Sequence, residues 1–138
     1  MLRDCYNANP ESTQAAIHFC DEVEWPGRRV YVIGAMFELG SSTQEAHRKL
    51  GELLGASKAE LIFLFGRETE DTKLSLEADP KARGKKIFHT NEIEELSSMI
   101  QKEKMSGDLI LLKGSRGTAL ERLSTVLSEK PAPSRIGA

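Results

Sequence analysis

Only two cysteines occur in the 138 residues, Cys5 and Cys20. They share no zinc or redox spacing and make no disulfide framework, which points to a reducing, cytoplasmic setting. Long apolar runs are missing too. None approaches the ~18 residues a membrane span needs, and Met1-Leu2-Arg3-Asp4 does not begin a signal peptide. No charge of one sign dominates, since 19 Lys and Arg face 21 Asp and Glu for a net charge of −2. That balance removes the electrostatic case for nucleic acid or an anionic membrane as a partner. His18, His47 and His89 fall in separate segments without metal-ligand spacing, so no metal site is expected. Gly-x-Ser-x-Gly is absent and no Ser-His-Asp set can be assembled from spacing, so no catalytic residue is assigned.

What is present suits a globular protein: 39% of residues are hydrophobic and 29% charged. The length suits one domain, which buries roughly two-thirds of its unfolded surface and needs no disulfide or metal to fold. Four short apolar runs stand out: Val30 to Ile33, Leu61 to Phe65, Lys86 to Phe88 and Leu109 to Leu112. They are continuous rather than alternating, as strands covered on both faces are. A fifth candidate, Leu2 to Tyr6, opens the chain. Between them lie helical patterns. Residues 12–24 carry Ala16, Phe19 and Val23 behind a cap near Ser12. Residues 42–55 start with a Ser42-Thr43-Gln44-Glu45 capping box and carry Ala46, Leu50, Leu53 and Leu54. Residues 91–105 follow Thr90 as cap and bury Ile93, Leu96 and Ile100, and residues 117–128 present Leu120, Leu123 and Leu127. Residues 67–84 predict a short helix and a loop, broken by Pro80 and Gly84. The five alternations predict an α/β fold: an open, mostly parallel sheet with helices on both faces. Residues 1–129 form the domain and 130–138 a frayed tail.

Ligands in such sheets bind at the carboxyl ends of the strands, which selects the loops for scrutiny. Asp4-Cys5-Tyr6-Asn7-Ala8-Asn9-Pro10 reads two ways. Asn and Pro are turn residues, and the amides with Asp4 can also hydrogen-bond a polar ligand. Gly34-Ala35-Met36-Phe37-Glu38-Leu39-Gly40 is no ATP phosphate loop, because it lacks the Lys before Ser or Thr. Met36, Phe37 and Leu39 are expected to pack over the sheet, while Glu38 is either solvated or a substrate group. Leu112-Lys113-Gly114-Ser115-Arg116-Gly117 places two cations and a hydroxyl before a helix, which favours a receptor for carboxylate or phosphate over Lys113 reaching solvent and Arg116 pairing with a surface acid. Lys113 ends an apolar run, where an ammonium buried without an anion is costly. His18 and His47 are expected on helix surfaces or partly buried, His89 near the ligand edge, and both cysteines buried and structural.

Together and in order, these three loops resemble the C-terminal domain of the Mur ligases, over about residues 2–128. Glu45-Ala46-His47-Arg48-Lys49-Leu50-Gly51 and Leu120-Glu121 are similar to that family as well. The resemblance implies a Rossmann-like domain of an ATP-dependent ligase, inactive alone, that works in peptidoglycan precursor synthesis. Its branch of the family adds D-alanyl-D-alanine to UDP-N-acetylmuramoyl tripeptide through an acyl phosphate. ATP and Mg²⁺ would be held mainly by a central ATPase-like domain of the same monomeric, cytoplasmic enzyme. The resemblance assigns Asp4, Tyr6, Asn7 and Asn9 to the nucleotide, and Lys113, Ser115 and Arg116 to the dipeptide carboxylate. It also leads to the expectation that the chain is cut from a longer one. The family commonly has an acid where this chain has Ala35. A receiver domain is disfavoured because Phe65-Gly66-Arg67 lacks its phospho-acceptor acid. A dinucleotide oxidoreductase is disfavoured because Tyr6-Asn7-Ala8-Asn9 has no glycine. The alternative is a stand-alone α/β ligand-binding or regulatory interaction domain without catalysis.

Overall fold

The computed structural model describes the backbone of residues 2–4 together with residues 9–37 and 39–114. Its strands are β1 (Leu2–Asp4), β2 (Arg29–Gly34), β3 (Leu61–Phe65), β4 (Lys86–Thr90) and β5 (Leu109–Lys113). Its helices are α1 (Pro10–Glu22), α2 (Thr43–Ala56), α3 (Glu70–Glu77) and α4 (Ile93–Glu103). The strands form one sheet in the order β1-β5-β2-β3-β4, and every described pairing is parallel. The four apolar runs and the fifth candidate thus hold the five described strands, the last candidate being described only as far as Asp4. The expected helix over 117–128 and the tail lie outside the described residues.

Both faces of the sheet are covered, which is why its strands read as continuous apolar runs. On one face Ile17 and Cys20 of α1, Leu50 and Leu54 of α2 and Leu76 of α3 pack on Tyr31, Ile33, Ile62, Leu64 and Leu111. On the other, Leu96 and Ile100 of α4 pack on Val30, Val32, Phe63, Phe65, Ile110 and Leu112. Phe63 also stacks on Phe88 of β4, with ring centroids 4.7 Å apart.

Helix boundaries differ from expectation where side chains compete for the backbone. Helix α1 begins at Pro10 because Asn9, not Ser12, is its cap. The Asn9 side chain accepts the Ser12 N–H, and Ser12 Oγ accepts the Asn9 N–H. Its buried face is Thr13, Ile17 and Cys20, flanked by Ala16 and Val23, and Phe19 is 58% exposed. A search for apolar letters passes over the threonine, whereas Cys20 is buried as expected. The capping box at Ser42 does not form. A 3₁₀ turn, Gly40–Ser42, runs directly into α2 and Thr43 Oγ1 donates to Gly40 O. Glu45 instead pairs with Arg48 at 2.7 Å. Helix α4 has Glu92 at its cap position, with Thr90 Oγ1 accepting the Glu92 N–H.

Candidate functional site

At the carboxyl edge of the sheet the strands end side by side. Asp4 lies opposite Lys113, Lys113 opposite Ile33, Gly34 opposite Phe65, and Phe65 opposite Thr90. The chain steps from β2 outward through β3 to β4, then returns so that β5 pairs with the other side of β2. In sheets with such a reversal, ligands usually lie between the loops after the two strands where it occurs, here β2 and β5. Lys113 ends β5 there and Gly114 follows it, while Ala35 and Met36 follow β2. Lys113 is buried, 1% exposed.

Two bonds hold the loop after β2. Ala35 N–H donates to Phe65 O at 2.9 Å, extending the ladder by one residue. Met36 N–H donates to His47 Nε2 at 3.0 Å. Ala35 and Met36 are buried, whereas Phe37 is partly exposed. Leu39 packs against the core, so the expected packing over the sheet holds for Met36 and Leu39 more than for Phe37. The loop after β3 turns at Gly66, whose φ of +111° suits glycine. A Cβ there would lie 3.0 Å from the Ala35 Cβ, so the two loops are in contact. Gly66 N–H donates to Thr90 O. Its carbonyl accepts from Thr69 Oγ1 and lies 3.1 Å from His89 Nε2. His89 therefore stands near the carboxyl edge of the sheet.

The anticipated residues divide into three groups. Lys113 and Asn9 are placed at or beside the carboxyl edge, and Asn9 uses its Oδ1 as the α1 cap. For Asp4 the strand position is described. Tyr6, Asn7, Ser115 and Arg116 lie outside the described residues, as do Cys5 and Glu38. His47 corrects the expectation of a surface or partly buried histidine: it is fully buried. The missed signal is the spacing Thr43, His47, Leu50, Leu54, which places the ring on the inward face of α2. Among the described residues no three His, Cys, Asp or Glu side chains gather as a metal set. None of their helices is long and apolar enough to cross a membrane. A cleft of about 460 Å³ lies between α1 and α2 beside Met36. Thr13, in its wall, has a buried Oγ1 without a hydrogen-bond partner.

A family model described as Mur ligase, glutamate ligase domain, matches residues 1–116. The chain belongs to that family. It is 38% identical over 132 residues to UDP-N-acetylmuramoyl-tripeptide–D-alanyl-D-alanine ligase of Treponema pallidum (strain Nichols), covering 94% of this chain and 28% of that one. A crystal structure of MurF from Acinetobacter baumannii matches with a TM-score of 0.72 at 31% identity, over 92% of this chain and 27% of that one. MurF ligase from Thermotoga maritima in complex with ADP matches with a TM-score of 0.64 at 29% identity, over 88% and 26% of the two chains. This Mur ligase domain thus spans little more than a quarter of the length of the relatives it matches.

Proposed function

We propose that the chain is the C-terminal domain of an ATP-dependent ligase that joins D-alanyl-D-alanine to UDP-N-acetylmuramoyl tripeptide. The similarity over 94% of the chain to a relative bearing that name carries the reading. The geometry is in keeping with it: the carboxyl edge presents a buried cation beside glycine-bearing loops. In this reading ATP and Mg²⁺ belong mainly to a central domain of the same monomeric, cytoplasmic enzyme. Asp4, Tyr6, Asn7 and Asn9 face the nucleotide, Asn9 through the amide nitrogen that its cap does not use. Lys113, Ser115 and Arg116 receive the carboxylate of the incoming dipeptide, and the domain alone turns over nothing.

A charged hydrogen bond to a carboxylate is worth roughly 1.5–3 kcal/mol, so losing one weakens binding about 10- to 150-fold. In the ligase that contains this domain, Lys113→Ala and Arg116→Ala should raise the KM for D-alanyl-D-alanine by that factor and leave the KM for ATP nearly unchanged. Thermal unfolding of the same variants separates this from a loss of fold. An unchanged dipeptide KM in both well-folded variants refutes the anchoring role.

A further inference from the structure

We propose that His47 is a positioning residue of the carboxyl-edge site, its ring setting the backbone path of the β2–α2 loop beside Lys113. The inference rests on reading that edge as the ligand site. Strand β2 ends at Gly34 and the ladder reaches one residue further, through Ala35 N–H to Phe65 O. Met36 is the next residue and is 1% exposed, so its amide lies in the interior where an unmatched N–H is strongly disfavoured. The His47 ring supplies the acceptor at 3.0 Å.

The partners fix the tautomer. A backbone amide only donates, so Nε2 carries no proton. Nδ1 lies 2.8 Å from Thr43 O, and a carbonyl only accepts, so the proton is on Nδ1. Each ring nitrogen thus has one task, one toward the loop and one toward the first turn of α2. The ring cannot drift, because α2 is held to α3 at the same residue, where Thr72 Oγ1 donates to His47 O at 2.7 Å. A continuous path therefore runs from α3 through α2 to the loop after β2 at the carboxyl edge. An apolar side chain would fill the volume of the imidazole and leave Met36 N–H without an acceptor. Glutamine reaches as far as Nε2 does and offers a carbonyl oxygen there.

Two measurements test this. In the ¹⁵N-labelled wild-type chain, the Met36 amide nitrogen should show a scalar coupling across the hydrogen bond to His47 Nε2, with Nε2 unprotonated. A proton on Nε2, or no coupling in a folded sample, overturns the proposal without any variant having to fold. In the ligase that contains this domain, His47→Leu should raise the KM for D-alanyl-D-alanine about tenfold or more. His47→Gln should restore most of it. A purely structural histidine would instead lower the melting temperature in both variants and leave that KM alone. Equal behaviour of the Leu and Gln variants, or a folded Leu variant with unchanged dipeptide KM, also overturns it. If Lys113→Ala and Arg116→Ala leave the dipeptide KM unchanged, the reading of the edge itself has failed. If they raise it while His47→Leu does not, the positioning role alone has failed.

Discussion

Thr13 and His47 show how a polar residue on an inward helix face can be either a defect or a device. Both are buried and both stand beside Met36, yet each His47 ring nitrogen has a partner and Thr13 Oγ1 has none. Burying a hydroxyl without a hydrogen bond disfavours the fold by about 1–3 kcal/mol. Valine has the same shape and nearly the same helix propensity as threonine. Thr13→Val should therefore raise unfolding stability by about 1 kcal/mol in a urea titration; a loss would mean that the hydroxyl is satisfied in solution. Neither residue was legible as core, because a scan for apolar letters skips both. Lys113 was legible as a problem, since its charge ends a strand that is otherwise apolar. Asn9 was open between turn and ligand, and its cap supports the first use without removing the amide nitrogen from the second.

At the scale of elements, the strands were read correctly because two-sided burial writes the same signal into every run. Helix starts were read less well, since they are decided by side-chain hydrogen bonds such as Asn9 to Ser12 that several neighbouring residues can make. The contact between α2 and α3 is invisible to a hydrophobic pattern, because it depends on a glycine, Gly51. A Cβ at Gly51 would lie 2.5 Å from Ser75 Cβ and 2.8 Å from the backbone oxygen of Thr72. Alanine in a helix gains about 1 kcal/mol over glycine, but overpacking of this kind disfavours the fold by about 1–3 kcal/mol. Gly51→Ala should thus be destabilising. At Gly55 the nearest atom is the Asp79 carboxylate oxygen, 2.7 Å away on a side chain that can turn aside. Gly55→Ala should be close to neutral. Thermal unfolding of the two variants side by side checks the contrast, and equal losses would refute it.

Across the whole molecule, the edge opposite the site is tied down by charge and hydrogen bonds. Arg29 caps the end of α1 through the carbonyls of Cys20 and Val23. Arg28 makes a two-point pair with Asp108, and Tyr31 donates to Asp21 at 2.5 Å. Burial, then the Asp21 charge, pushes the Cys20 thiol up to about 11 from an ordinary 9.0. Burial and the bond to Asp21 raise Tyr31 above its ordinary value as well. Groups raised on folding stabilise fully below their unfolded values, and that contribution is lost as pH rises through the folded ones. Unfolding stability should accordingly fall from about pH 9 upward, although Lys85, lowered by burial, works in the opposite sense. The difference between wild type and Cys20→Ala isolates the thiol: the two curves should diverge between pH 9 and 11, and parallel curves would refute the assignment. One feature of the sheet also bears on how the molecule is made. Strand β1 has β5 as its neighbour, pairing Leu2 with Leu111, whereas β2, β3 and β4 follow one another in order. A nascent chain can therefore zip β2 to β3 and β3 to β4 as they leave the ribosome, while β1 must wait for β5 to emerge. Contacts so distant in sequence are slow to close. The two halves of the candidate site, one after β1 and one after β5, thus come together only at the end of synthesis of this segment.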